Sequence, residues 1–229
     1  MPGGVSGSDL SDRAEGVDTR LPVPGLPGVR FRQNRLEVGT VSLELLSASA
    51  ADVLSKSPPN GIPYWSVAWP AGIALGRVLA ERVKPETTVL ELGAGVGVSG
   101  LCAAAAGARV TLSDNEPDAL RLIGMNARRN RLAVQGVTAD WRWWPLSSEL
   151  RFDLIIGSDI TYEPAAFDAL LSVLRLAAPP PTEVWLTDPG RLMTTAFQQR
   201  ATQAGWRWDF EELSPVGRQS VFLYRLRQR

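Results

Sequence analysis

The stretch TTVLELGAGVG, residues 87–97, decides the fold. Its first half is a short β-branched and apolar run, the pattern of a buried strand. Its second half places Gly93, Gly95 and Gly97 directly before VSGLCAAAAG (98–107), a helical segment built from small residues. Glycines at a strand-to-helix turn let the backbone fold back sharply and approach a ligand with no Cβ in the way. Downstream the chain keeps alternating. ARVTLSD (108–114) reads as a second strand and PDALRLIGMNARRN (117–130) as a second helix, with Pro117 at its first turn. VQGVTADW (134–141) reads as a third strand and FDLIIGSD (152–159) as a fourth, apolar enough to sit mid-sheet with both faces covered. AAFDALLSVLRLAAP (165–179) is a helix, TEVWLTD (182–188) a fifth strand, and RLMTTAFQQRATQAG (191–205) a helix that stops at Gly205. WRWDFEEL (206–213) and QSVFLYRLR (219–227) close the chain as two strands, expected to be antiparallel. Alternation of this kind implies an α/β fold of Rossmann-like, doubly wound type, with a mostly parallel sheet.

Upstream of the glycine loop, FRQNRLEVGTVSLELLSAS (31–49) alternates in the manner of a short hairpin, and SPPNGIP (57–63) is a turn-rich linker. A helix is expected from about Pro70, with Ile73, Leu75, Val78 and Leu79 mostly on one side. Residues 1–28, rich in Gly, Pro, Ser and Asp, read as a flexible tail, which leaves 29–229 as one domain with a small N-terminal extension.

Composition narrows the chemistry. Of 229 residues, 45% are apolar and 21% charged, which is ordinary for a globular chain. The 24 basic and 24 acidic residues cancel, so no general attraction to nucleic acid or anionic lipid follows. The single cysteine, Cys102, excludes an internal disulfide. Histidine is absent, which removes the usual general base, the usual activator of a nucleophile and the commonest zinc ligand. No metal site is expected. The N-terminus lacks the pattern of a secretory signal and no apolar run reaches ~18 residues, so the expectation is a cytoplasmic chain with no membrane partner. It is expected to be monomeric.

The glycine loop is followed one strand later by Asp114, a carboxylate placed to accept from the hydroxyls of a ribose. Dinucleotide sites share this layout, but normally as G-x-G-x-x-G with the helix N-terminus open to a pyrophosphate. Here the glycines run G-x-G-x-G, and Glu91 ends the strand. A carboxylate at that point repels a pyrophosphate and suits a ligand carrying an ammonium and a sulfonium. S-adenosyl-L-methionine is therefore preferred over a nicotinamide dinucleotide. Asp140 and Trp141, at the end of the third strand, suit an adenine amino group and ring face. The competing readings are that the glycines serve only tight helix–sheet packing, and that Trp141 belongs to a core cluster with Trp143 and Trp144.

VLELGAGVGVSGL, Asp114, ADW (139–141) and SDITY (158–162) together resemble the seven-β-strand protein lysine methyltransferases. Asp159 and Tyr162 match that family's Asp-x-x-Tyr motif after the fourth strand. Pro63-Tyr64-Trp65, Trp69-Pro70-Ala71-Gly72 and Asp188-Pro189-Gly190-Arg191 resemble segments of the electron transfer flavoprotein β-subunit lysine methyltransferases. Ala71 stands where that group commonly has a second glycine. The resemblance implies a seven-stranded class I S-adenosylmethionine-dependent methyltransferase that methylates a protein lysine, with a substrate of electron transfer flavoprotein β-subunit type among the candidates. It implies Asp159 and Tyr162 on the substrate side. On the cofactor side, Trp69, Asn115 and Ser158 are expected beside Glu91, Gly93, Gly95, Gly97, Asp114, Asp140 and Trp141.

Methyl transfer from a sulfonium is an in-line displacement that requires neither metal nor covalent intermediate, so the lack of histidine is no obstacle. A lysine, with a pKa of ~10.4, arrives protonated, and a carboxylate stabilises that form. Asp159 is therefore expected to aim the neutral amine rather than to activate it. For Asp159 the competing reading is a helix N-cap, and for Tyr162 simple packing. Arg191 either neutralises an acidic partner or caps a sheet end. Trp65 and Trp69 either line a cofactor lid or seal the sheet edge. A small-molecule methyltransferase of the same fold is the alternative function, with a non-catalytic binding module behind it. A base-amino methyltransferase is disfavoured because SDITY lacks the paired prolines of that class.

Overall fold

The computed structural model describes residues 30–54 and 63–228. The expected tail, and most of the expected linker, lie outside those residues. The chain starts with an antiparallel hairpin, β1 (Phe31–Val38) and β2 (Val41–Ala48), followed by a short helix α1 (Ala50–Leu54), a 3-10 turn (Tyr64–Ser66) and α2 (Pro70–Arg82). The alternating part runs β3 (Thr88–Leu92), α3 (Val98–Ala105), β4 (Arg109–Asp114), α4 (Pro117–Arg129), β5 (Gln135–Thr138), β6 (Leu154–Ser158), α5 (Phe167–Ala177), β7 (Glu183–Asp188) and α6 (Leu192–Gln203). It ends in a second hairpin, β8 (Trp206–Val216) and β9 (Gln219–Gln228).

The main sheet has seven strands in the order β5-β4-β3-β6-β7-β9-β8, and only β9 runs antiparallel to its neighbours on both sides. The order turns back on itself between β3 and β6. Side-by-side strands whose following helices leave on opposite faces open a crevice at their carboxyl ends, and ligands of open α/β sheets bind there. Alternation along β3 sorts its side chains between the two layers. Leu90 and Leu92 pack with α5 and α6, in a core that includes Ile155, Leu170, Leu174, Phe197 and Trp206. Val89 packs on the other face with Leu75, Leu79, Ala103 and Leu112.

α2 crosses the second face close to the strand ends, and its small first turn permits this. The Thr187 hydroxyl donates to the Ala71 carbonyl at 2.9 Å, and the Ser99 hydroxyl to the Gly72 carbonyl at 3.2 Å. A Cβ at Gly72 would stand 3.2 Å from the Ser158 Oγ.

The first hairpin is held to α4 by two asparagines one helical turn apart. Asn126, fully buried, accepts from the Leu46 N–H at 2.8 Å and donates to the carbonyls of Leu46 and Val96 at 3.2 and 3.1 Å. Asn130 accepts from the Glu44 N–H and donates to its carbonyl, both at 2.8 Å. Residues 44 and 46 point the same backbone edge outward, so the two amides act as a surrogate strand for that edge.

The hairpin occupies the expected stretch, with eight residues per strand. One expectation changes in extent. The third strand stops at Thr138, so Asp140 and Trp141 fall in the turn that follows, closed by an isolated bridge between Asp140 and Trp143. Among the described residues, no helix is long and apolar enough to cross a membrane and no group of acids or cysteine is arranged to hold a metal.

Candidate functional site

The crevice between β3 and β6 gathers the glycine loop, Asp114 and the Asp159–Tyr162 segment. Gly93, Gly95 and Gly97 all adopt positive φ, at 63°, 55° and 84°, a region that strains any residue carrying a Cβ. Space is short as well. A Cβ on Gly93 would stand 2.8 Å from the Ile160 Cγ2 and 3.6 Å from the Trp141 ring, and one on Gly95 would meet the Trp65 carbonyl at 3.0 Å. Bulk at residue 95 therefore presses on the protein's own backbone before it reaches a ligand.

Asp114 is nearly buried, and its two oxygens accept from the Gly95 N–H at 2.8 Å and the Glu116 N–H at 3.0 Å. Burial raises its pKa, against those backbone hydrogen bonds. The Asn115 N–H also interacts with it, and a carboxylate offers about four lone-pair sites, so the backbone does not use up its acceptor capacity. Asn115 is exposed next to it.

Glu91 departs from the expected role. It is 1% exposed and points between sheet and helix, where it accepts from the Gly100 N–H at 2.9 Å. Burial pushes its pKa up to about 8, so at neutral pH it is mostly uncharged. It secures the start of α3 and offers no full negative charge to an ammonium.

Asp140 departs as well. Its carboxylate accepts from the Arg142 backbone N–H at 2.9 Å and from its guanidinium at 2.5–3.2 Å, which uses the lone pairs an adenine amino group would need. Those bonds hold its pKa at about 2. Trp141 is half-buried against the α5 core and lies over Gly93, whereas Trp143 is 81% exposed and belongs to no core. Ser158 lies against Gly72 at the start of α2. Trp69 donates its indole N–H to the Tyr64 carbonyl at 2.9 Å and packs against Ala48, Val53 and Val67, so it seals the edge beside α2. Trp65 packs near Phe31 and contributes its carbonyl above the loop.

On the opposite wall, Asp159 adopts φ 58°, an unusual conformation for a non-glycine residue. It caps no helix: α5 starts at Phe167, behind a 3-10 turn whose N-cap is Glu163. Its carboxylate meets the guanidinium of Arg191, which donates through Nη2 to Oδ2 at 3.1 Å and sets Nη1 against Oδ1. The same Nη1 lies 3.3 Å from Oδ2 of Asp188. Asp188 is buried and accepts from the N–H groups of Gly190 and Arg191 at 2.7 and 2.8 Å, with Thr161 and Thr194 beside it. The acidic partner of Arg191 is thus internal. Asp188 went unassigned from sequence, although Asp-Pro-Gly signals a turn in which the Asp accepts from the N–H two residues on.

Tyr162 is half-exposed at the mouth. Burial raises its pKa, helped by Glu163, Asp114 and Tyr64. Its ring lies 6.4 Å from Tyr64, and that ring 6.3 Å from Trp69. Tyr64 joins the site from a segment with no regular periodicity.

Residues 64–196 match the model of the family described as lysine methyltransferase. The protein N-lysine methyltransferase METTL21A of Danio rerio is 32% identical over 169 residues, covering 70% of this chain and 76% of that protein. The electron transfer flavoprotein β-subunit lysine methyltransferase of Danio rerio is 36% identical over 134 residues, covering 56% and 51%. The histone-arginine methyltransferase METTL23 of Rattus norvegicus is 32% identical over 139 residues, covering 55% and 60%. Of the last two the chain thus spans only about half to three-fifths of the length. Among solved structures, the 16S rRNA N2 G1207 methyltransferase RsmC of T. thermophilus superposes with a TM-score of 0.62 at 18% identity, over 90% of this chain and 52% of that one. A TehB-like SAM-dependent methyltransferase from Corynebacterium glutamicum gives 0.56 at 16%, over 68% and 88%. Those two similarities carry the Rossmann-like fold alone. With more than half of its 229 residues matched by the family model, the chain belongs to the lysine methyltransferase family.

Proposed function

We propose that this chain methylates the ε-amine of a protein lysine, using S-adenosyl-L-methionine. The observation that carries the reading is Asp159. It stands at the carboxyl end of β6 across the crevice from the glycine loop, next to Tyr162, and its carboxylate takes no backbone N–H. The residues present fit an adenosyl group: the positive-φ glycines form the turn, and Asp114 keeps acceptor capacity for a ribose hydroxyl beyond its backbone bonds. When bound, S-adenosyl-L-methionine supplies a methyl carbon activated by its sulfonium. Asp114 and the loop hold the sugar side. Trp141 stands over Gly93 on the base side, and Asp140 becomes available there only if the exposed Arg142 swings away. Asp159 accepts a hydrogen bond from the neutral amine and aims its lone pair, and Tyr162 walls the lysine's path.

The partner in this reading is a protein, and proteins of electron transfer flavoprotein β-subunit type are candidates because a relative is named for that substrate. The chain is further proposed to act as a cytoplasmic monomer without nucleic acid. An arginine acceptor is the second reading, favoured by the similarity to METTL23 proteins named histone-arginine methyltransferases. Incubating the purified chain and tritiated S-adenosyl-L-methionine with the proteome of cells that lack it, followed by mass spectrometry of labelled bands, separates the two. Methyllysine supports the proposal, methylarginine replaces it with the second reading, and label confined to small metabolites overturns both.

A further inference from the structure

Asp159 and Arg191 lie 32 positions apart in sequence, yet the guanidinium rests directly on the carboxylate at the place where the acceptor amine is to be held. The contact is built, not incidental. Asp188, buried at the end of β7, fixes the backbone of Gly190 and Arg191 through Oδ1 and steadies the Arg191 side chain through Oδ2. Arg191 is partly buried, and desolvation lowers its pKa, but a guanidinium stays charged throughout the range in which proteins work.

A bare carboxylate beside a lysine has an unwanted effect. It stabilises the ammonium, which has no lone pair to give. A fixed cation on that carboxylate opposes the ammonium while leaving an oxygen lone pair to accept an N–H from the neutral amine. We infer that Arg191 is a positioning residue for the transfer: by neutralising Asp159, it lets the carboxylate orient the acceptor amine without keeping it protonated. This rests on the lysine-acceptor reading above.

Asp188 on β7 is the other ionisable group bonded to Arg191; Glu163, Asp114 and Tyr64 act on Tyr162 after β6, and Asp188 acts on Tyr224 of β9. The phenols of Tyr162 and Tyr224 are raised by burial above their ordinary value near 10, so they stay neutral over the lower part of the working range. The carboxylates are common to every variant below. Arg191→Met removes the cation while the backbone N–H of residue 191 still bonds Asp188, so the loop keeps its anchor.

The test follows the initial rate of tritium transfer from saturating S-adenosyl-L-methionine into protein lysine from pH 6.5 to 10. It compares wild type, Arg191→Met and Arg191→Lys, with the protein fraction of cells lacking this chain as substrate. In the wild type the rate climbs with pH as the bound amine loses its proton. Arg191→Met is expected to move that limb upward by about one pH unit, a loss of roughly tenfold on its acid side that closes at high pH. Arg191→Lys is expected to restore the limb to the wild-type position. Uniform loss at every pH with an unmoved limb would reduce Arg191 to a structural support, and uniform gain would make it an obstruction. Either result overturns the inference. If the wild type forms no methyllysine, the lysine-acceptor reading itself fails and the inference falls with it, so the two failures are told apart by the wild-type product.

Discussion

Glu91→Gln isolates the charge state of the acid beneath the glycine loop. In the fold the carboxyl is 1% exposed and accepts from the Gly100 N–H, with its pKa raised by burial to about 8. The unfolded chain releases the same proton near 4.5. Between those values the native state keeps a proton that the unfolded state has lost, so Glu91 makes stability fall as pH rises from 4.5 to 8, with no further effect outside that window. Each pH unit inside it is worth at most about 1.4 kcal/mol. Glutamine keeps an acceptor for Gly100 and cannot ionise. Subtracting wild-type from variant stability at each pH cancels every other titrating group. The difference is expected to move in favour of the variant by about 3.5 kcal/mol between pH 5 and 8, read from urea unfolding at each pH. A flat difference, or one that moves toward the wild type, would show that Glu91 is ionised in the fold and refute its neutrality. The same variant bears on the cofactor. An uncharged Glu91 means that Gln at this position leaves S-adenosyl-L-methionine affinity at pH 7 within about threefold, whereas a carboxylate attracting the ammonium would lose tenfold or more, since tenfold is ~1.4 kcal/mol.

Asn126→Ala leaves the Leu46 N–H and the Leu46 and Val96 carbonyls without their side-chain partner; a loss of about 3 kcal/mol is expected, seen calorimetrically as a Tm lowered by roughly 6–12 °C. Asp159→Asn is expected to reduce methyl transfer by at least about a hundredfold while calorimetric titration finds S-adenosyl-L-methionine affinity nearly intact, if the residue serves the acceptor as proposed; equal loss of both would put it on the cofactor side. Gly93→Ala forces a Cβ to 2.8 Å from Ile160 in a left-handed conformation, and should weaken cofactor binding by about tenfold or more, with partial recovery when Ile160→Ala is added; no recovery would locate the damage in the backbone alone.

How much of this was legible in the sequence differs by element. β3, β4, β6 and β7 are short apolar runs ended by Gly, Ser or Asp, and their identity and direction follow from the helices between them. The end of β5 was not legible: VTADW continues a plausible strand, but β5 is an edge strand with exposed residues, and nothing in its residue types marks Thr138 as the last. The role of Glu91 was accessible in principle. Period-two alternation places it on the same face as Val89, beneath α3, and away from the crevice. Asn126 and Asn130 read as polar positions on an amphipathic helix, and only the placement of β2 alongside α4 shows them bonding backbone. The Arg191–Asp159 pair has no local signal at all, since it depends on β6 and β7 lying side by side.

The acids at the strand ends sort themselves by what they accept from. Glu91 near the end of β3 takes the Gly100 N–H, Asp114 at the end of β4 takes those of Gly95 and Glu116, and Asp188 at the end of β7 takes those of Gly190 and Arg191. Asp114 and Asp188 thereby fix the loops at the ends of their strands and Glu91 the first turn of α3, and each would be retained by a protein of this fold that bound nothing. Asp159, after β6, supports no backbone N–H in this way, and it occupies a conformation that disfavours any residue with a Cβ. Such strain costs of order 1–3 kcal/mol and persists only where the surroundings impose it. Backbone support explains three of the four acids, whereas Asp159 holds only the Arg191 side chain. The proposed acceptor role accounts for the strained conformation as well, because it turns the carboxylate toward Arg191 and away from its own loop.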